Sequence, residues 1–199
     1  MKKSLFLLAF IAPLALANPQ DNLISRLDKV NAFSADFSQK VTSADGDVIS
    51  EGSGTLAIER PNLFNWTTAE PDENVLVSDG KTLWYYSPFV EQVTAMWLDQ
   101  ATDQTPFALL TRNNKAEWQQ YTVTQKGDVF TLKPKSQSSR VGEFVVDVKK
   151  DGEVEGFSVV EQDGQISQFT LDKFVAAKPK DSLFHFTPPD GVELDDQRQ

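Results

Sequence analysis

The sequence contains no cysteine. A disulfide framework is therefore excluded, and the fold must stand on its core. The same absence rules out lipid attachment of the bacterial lipoprotein kind, which is made on a cysteine at the cleavage site. Histidine is nearly as scarce: His185 is alone, without the convergent partners that a Ser/His/Asp triad or a metal cluster needs. Beyond residue 17 no apolar run approaches the roughly 20 residues of a membrane-spanning helix. Basic residues are outnumbered, 19 against 29 acidic. An excess of one sign argues against nucleic acid and anionic membrane surfaces as partners. It also keeps a chain soluble when some apolar surface is accessible.

The first residues read as an address. Lys2 and Lys3 precede an apolar stretch from Leu5 to Ile11, broken at Pro13 and resumed to Leu16, and Ala15-Leu16-Ala17 offers small residues where a signal peptidase reads. This is the order of a secretory signal peptide. Cleavage after Ala17 leaves residues 18–199 as one domain, long enough to bury a sizeable core. With the two leader lysines gone, seventeen basic residues face 29 acidic ones, a net charge of −12.

Leu23, Ile24, Leu27 and Val30 then recur at helical spacing, with Asp21 or Asn22 available as a cap. From Phe33 to Val41 the period becomes two, and Asp45-Gly46 marks a turn. Residues 48–58 predict the next strand, in which Gly52 and Gly54 signal a bend or the close approach of another group. Asp79-Gly80, Gly127-Asp128, Asp151-Gly152 and Asp163-Gly164 are hairpin signals. The strand-like runs around them are 75–77, 83–86, 121–123, 130–132, 144–148, 157–160 and 166–174. This rhythm is that of an antiparallel meander. Residues 96–115 interrupt it. There Thr105-Pro106 predicts a helix start with proline at its first position, Phe107, Leu109 and Leu110 supply apolar residues, and Met96-Trp97-Leu98 predicts a further helical turn.

Motifs for catalysis are missing or broken. His185 falls in Leu183-Phe184-His185-Phe186, an alternating stretch that predicts a strand, with the two phenylalanines on one face and His185 on the other beside Leu183. Gly80-Lys81-Thr82 resembles the end of a phosphate-binding loop, but Val75 stands where that motif needs its first glycine, and a strand follows where it needs a helix. The acidic pairs Asp72/Glu73 and Asp195/Asp196 fall in hydrophilic turns or the tail, not in a cleft that would separate their acidities. The expectation is no enzyme, no metal and no cofactor.

What the sequence holds in quantity is aromatic surface: 14 Phe, 4 Trp and 3 Tyr. Rings on strands are ordinarily core. Trp84-Tyr85-Tyr86, however, sends aromatic side chains to both faces of one strand, so one face packs outward while the other is free to line a cavity.

Taken in order, several segments resemble the periplasmic outer-membrane lipoprotein carriers of Gram-negative bacteria, the LolA family. They are Phe33-Ser34-Ala35-Asp36-Phe37-Ser38-Gln39, Glu59-Arg60-Pro61-Asn62-Leu63-Phe64-Asn65-Trp66, and Leu76-Val77-Ser78-Asp79-Gly80-Lys81-Thr82-Leu83-Trp84-Tyr85-Tyr86. Pro88-Phe89-Val90-Glu91-Gln92-Val93, Thr105-Pro106-Phe107-Ala108-Leu109-Leu110 and Phe184-His185-Phe186-Thr187-Pro188-Pro189-Asp190-Gly191-Val192 follow. The resemblance spans nearly the whole chain past the leader, with residues 136–142 its softest stretch. It implies a mainly β fold: an unclosed, curved antiparallel β-barrel whose helical lid encloses an apolar cavity. It implies a periplasmic chaperone that binds lipoprotein acyl chains, a shuttle role that a monomer fits. An inner-membrane ABC transporter would load it, and a lipid-anchored outer-membrane acceptor, LolB, would unload it. The missing cysteine puts this chain on the carrier side.

By the same resemblance Arg60 is the lid latch, its five donors suited to carbonyls at helix termini. The plain alternative is a surface pair with Glu59 or Glu70. Phe64, Trp66, Trp84 and Phe89 are expected to line the barrel side of the cavity, with Leu27, Met96, Trp97, Phe107 and Leu110 from the lid. Two other classes compete: a periplasmic binding module for another lipid or a signalling ligand on the same scaffold, and, more distantly, a secreted hydrolase.

Overall fold

The computed structural model describes residues 18–102, 106–136, 139 and 141–198, with the side chains of 101, 102 and 106–108 outside that description. The leader, Thr105 and the Phe107 side chain thus lie outside the described residues. The strands are β1 (Ala32–Thr42), β2 (Val48–Glu59), β3 (Leu63–Glu70), β4 (Asn74–Asp79), β5 (Thr82–Ser87), β6 (Gln92–Trp97), β7 (Tyr121–Lys126), β8 (Val129–Pro134), β9 (Val141–Val148), β10 (Val154–Glu161), β11 (Ile166–Val175) and β12 (Glu193–Asp196). The helices are α1 (Pro19–Leu27), α2 (Leu98–Thr102), α3 (Pro106–Arg112) and α4 (Lys115–Trp118).

All twelve strands form one sheet in the order β12-β6-β5-β4-β3-β2-β1-β11-β10-β9-β8-β7. Neighbours run antiparallel, except that β12 returns to lie parallel to β6. The ends of the order, β12 and β7, are not paired to each other, so the sheet is unclosed. Its curl can be measured from side chains. Trp66 on β3 and Phe157 on β10 are four strand spacings apart along the sheet, about 19 Å if it were flat. Their ring centroids are 6.1 Å apart. The sheet therefore bends back until its two halves share one core.

The alternating patterns are the cause of this arrangement. In β1, Phe33, Ala35 and Phe37 are buried while their neighbours are not. In β9, Phe144, Val146 and Val148 repeat the device. These residues face the same side as Leu56, Ile58, Phe64 and Leu83, and all belong to one cluster completed by Leu23 and Leu27 of α1, Leu98, Leu109, Leu110 and Trp118. The close approach signalled by Gly54 is present. A methyl group there would lie 2.7 Å from the Phe37 ring, so the absent side chain is what lets that ring lie against the strand.

Three local expectations are corrected. The cap of α1 is Asn18, whose side chain accepts from the Gln20 amide at 3.2 Å, earlier than Asp21 or Asn22. Met96 and Trp97 continue β6, paired with Leu83 and Thr82, and the helix begins only at Leu98. The stretch containing His185 is no strand. Asp181–Phe184 forms a 3-10 turn with Phe184 buried, and Leu183 and His185 are exposed. Among the described strands the segment has no ladder partner.

Candidate functional site: the inner face and its helical cover

Successive cross-strand pairs define rows on the inner face. One row runs Phe33, Ile58, Phe64, Ser78, Leu83 and Met96 across β1 to β6. It lies under the helices, and Phe33, Ile58, Phe64 and Leu83 are buried in the common cluster. The next row runs Ala35, Leu56, Trp66, Leu76 and Tyr85. Here the cover thins: Trp66 and Leu76 are only partly buried, and Tyr85 is 40 % exposed. From the other half of the sheet Phe169 and Val159 are likewise partly buried. The floor between the halves is a continuous run of rings. Centroids are 4.6 Å apart for Phe37 and Trp66, 5.1 Å for Trp66 and Phe169, 4.7 Å for Phe169 and Phe157, and 5.9 Å for Phe157 and Phe144. The inner face thus grades from closed beneath the helices to accessible beyond them, and is dominated by apolar side chains along that course.

Arg60 sits just past the end of β2, beside the helices. Its Nε donates to the Leu110 carbonyl at 2.8 Å, and its Nη1 donates to the carbonyls of Val30 and, more distantly at 3.5 Å, Leu27. The guanidinium also lies 5.9 Å from the Phe33 ring centroid. Leu27 and Leu110 belong to the last turns of α1 and α3, where carbonyls lack intrahelical partners and carry partial negative charge. One cation therefore ties together two helix ends. Burial pulls Arg60 down to about 10, partly offset by the nearby Asp28 carboxylate, so it stays charged at neutral pH while its desolvation opposes the contact. Glu59 turns instead to Lys178 at 3.2 Å.

A second link joins the same helices. Asn113, at φ 44° just after α3, donates to the Asp28 carboxylate at 2.6 Å and accepts from the Trp118 indole at 2.9 Å. Arg112 ties the insertion to itself through Asp99 at 3.3 Å and Glu117 at 3.2 Å.

The structure brings only some of the sequence-predicted lining residues together. Leu27, Phe64 and Leu110 meet at the closed end, each nearly inaccessible. Trp66 and Met96 lie on the inner face, partly buried against the cluster. Trp84 and Trp97 do not join them. Leu83 takes the inner side of β5, so alternation turns Trp84 outward, where it packs on Phe186 at 5.7 Å and under Arg198 at 4.9 Å. Trp97, opposite Thr82, also points outward, 6.0 Å from Arg198. Phe89 is 85 % exposed on the 3-10 turn Pro88–Val90.

One residue of the site carries no mark in the sequence reading. Arg26 is buried in α1, donating to Asp128 and to the Val148 carbonyl at 2.6 Å each, above the Phe130 ring at 5.1 Å. A signal is nevertheless present: positions 23, 26, 27 and 30 form one helical stripe, and a charge in a stripe position needs a built partner.

Among the described residues no group of three or more His, Cys, Asp or Glu is placed to hold a metal, and no helix is long and apolar enough to cross a membrane.

An unclosed, curled sheet with an apolar inner face under short helices defines a class: folds that hold an apolar ligand between sheet and lid. Two solved structures share the fold. A conserved protein from Thermus thermophilus superposes with a TM-score of 0.59 at 12 % identity, covering 89 % of this chain and 98 % of that one. A LolA superfamily protein from Nitrosomonas europaea gives 0.50 at 13 %, covering 85 % and 99 %. Sequence is more specific. The profile of the outer membrane lipoprotein carrier protein LolA matches residues 28–187, and this chain belongs to the LolA family. The outer-membrane lipoprotein carrier protein of Photobacterium profundum is 63 % identical over 192 residues, covering 94 % of this chain and 96 % of its own length. That of Aliivibrio salmonicida is 58 % identical over 198 residues, covering all of both chains, and that of Yersinia pestis 54 % over 193 residues, covering 97 % and 96 %.

Proposed function

We propose that this protein is a periplasmic chaperone that carries lipoproteins to the outer membrane by holding their acyl chains against the inner face of its sheet. The observation that carries the reading is the graded inner face: apolar in character, sealed under helices on one side and accessible at Trp66, Leu76, Tyr85 and Phe169 on the other. The near-identical length and high identity of relatives named outer-membrane lipoprotein carrier protein support it.

The physical need is large. Each methylene removed from water is worth about 0.8 kcal/mol, so three chains of about fifteen methylenes carry a penalty of roughly 36 kcal/mol in water. A carrier has to cover enough of this surface to prevent aggregation and re-insertion, without holding it so firmly that release fails. Leu27, Phe64, Trp66, Met96 and Leu110 are the lining residues of this proposal, the closed-end members becoming accessible when the helices part. Arg60 is the latch: three carbonyls at two helix ends compete for one cation, and water can replace each of them. An inner-membrane ABC transporter supplies the energy for loading, and a lipid-anchored LolB-like acceptor takes the cargo.

The test is release of a lipoprotein from spheroplasts by the purified protein, followed by transfer to outer membranes. Wild-type protein should do both. Arg60→Leu should fold and load but fail to pass cargo on; transfer at the wild-type rate would remove the latch from the mechanism, and failure of the wild type to release any lipoprotein would remove the carrier reading.

A further inference from the structure

α1 is held from two sides, and the two sides differ in kind. On the side of α3 the ties include Arg60 to the Leu110 carbonyl, Asn113 to Asp28, whose carboxylate is exposed, and, at 3.5 Å, Asn113 to the Ile24 carbonyl. The Asn113–Asp28 bond lies at a wetted margin and the Arg60 bond is part-buried; water can replace both once the helices part. The apolar contacts beside them, Leu109 and Leu110 of α3 and the fully buried Trp118 of α4 against the cluster, are non-directional, and hydrocarbon chains can take their place. On the side of β7 to β10 the ties are directional, and the central one is buried. The Arg26 side chain is 7 % exposed and donates to the Val148 carbonyl and the Asp128 carboxylate at 2.6 Å each. Asn22 donates to Gln125 at 2.8 Å, and Lys29 donates to the Lys150 carbonyl. The helix backbone itself touches the β9–β10 turn: a methyl group on Gly152 would lie 2.6 Å from the Arg26 carbonyl, at φ 98° where no other residue is at ease.

We infer that α1 is a fixed wall of the carrier and Arg26 the positioning residue that fixes it, so that the interior opens by departure of the α3–α4 segment from α1, not by departure of α1 from the sheet. The inference rests on the carrier reading for its purpose but not for its geometry. Asp128 is partly exposed, but Arg26 and its bond to the Val148 carbonyl are buried; a hinge that left this buried cation without partners at every cycle would be a poor one. Arg60 is less deeply set and donates to carbonyls alone. Its desolvation already works against the closed contact, and solvent entering on opening restores its hydration. Arg112, paired with Asp99 and Glu117, keeps the moving segment together.

The absence of native cysteine makes the test clean. One variant carries Asn22→Cys with Gln125→Cys, joining α1 to β7; the other carries Asp28→Cys with Asn113→Cys, joining α1 to the segment after α3. Each is closed with a short thiol-to-thiol cross-linker and assayed for lipoprotein release from spheroplasts, with the same protein left open as control. The first cross-link should leave release at the level of its open control, and the second should abolish it. Equal loss with both cross-links would overturn the inference, whereas no release by any protein, open or closed, would count against the carrier reading. A measurement on wild-type protein decides the geometry independently of cargo and of how the variants fold. In native-state amide exchange, Leu110 and Thr111 should open in a step below global unfolding while Leu27 and Asp28 exchange only with it; a common opening of both sets would sink the fixed wall.

Discussion

Trp66 and Trp84 lie two strands apart in the same sheet and have opposite lives. Trp66, on β3, faces inward and is ringed by Phe37, Phe157 and Phe169. Trp84, on β5, faces outward, donates to the Asp79 carboxylate at 3.3 Å, and lies beneath the Arg198 guanidinium and beside Phe186. The inner ring is one of many in a shared cluster. The outer ring requires a cover of its own, and the chain supplies it with its last segment: the 3-10 turn that buries Phe184, the Asn65 amide donating to the Leu183 carbonyl at 2.8 Å, and β12 docked beside β6. Aromatic content alone thus says little about a cavity. What distinguishes the faces is whether the neighbours of a ring are other rings or include a carboxylate and a guanidinium.

That contrast can be broken, or sharpened, in four steps. The largest effect belongs to the inner face. Phe144 is fully buried, and Phe144→Ala should cost about 3–5 kcal/mol, read as a lower denaturation midpoint at unchanged m-value. Trp84→Ala should cost less, about 1–2 kcal/mol, the worth of one ring pair and one cation–π contact at a half-covered site. If the outer substitution were as damaging as the inner one, the two faces would be equivalent cores.

The third step is a pH dependence. Burial pushes the Asp79 carboxyl up, but the Thr82 and Lys81 amides, the Trp84 indole and Arg198 outweigh it, leaving it below the ordinary carboxylate range. A carboxyl depressed by folding contributes stability that is fully present above its unfolded value and lost as pH falls through the folded one. Asp79 is exposed, so Asp79→Asn should cost under about 1 kcal/mol at pH 7. In thermal unfolding series the gap to wild type should narrow as pH falls below the ordinary carboxylate range. A constant gap across that range would assign the contribution to shape rather than charge. The smallest effect is expected at the 3-10 turn. Phe89→Ser should move stability by no more than about 0.5 kcal/mol, since that ring is almost wholly in solvent; a large loss would mean that the turn packs onto the sheet.

Much of this architecture is legible in local sequence. Aspartate-glycine pairs at 79–80, 151–152 and 163–164 all fall in turns between antiparallel strands, because a positive φ is demanded there and little else supplies it. Long alternating runs such as β1 and β11 are readable for the same local reason. Three things are not local. β12 is acidic and short, and its partner β6 lies some hundred residues earlier, so no pattern in Glu193–Asp196 announces it. Met96 and Trp97 look helical beside Leu98, but the ladder to Leu83 and Thr82 decides otherwise. Alternation separates Leu83 from Trp84 without saying which of them faces in; that is set by the sheet's curl, which joins residues ninety positions apart. Arg60 is visible by resemblance and Arg26 is not, although the latter occupies a stripe position and is the more deeply buried of the two.

The seam between β7 and β12 has a last consequence. In a sealed cylinder of strands the radius is dictated by strand number and shear, and widening it means tearing a ladder. Here no hoop closes, so a slight relaxation of twist spread over eleven neighbouring ladders enlarges the interior while every interstrand bond stays made. The girth of this molecule is free of that constraint, because no ladder has to break for its two edge strands to move apart.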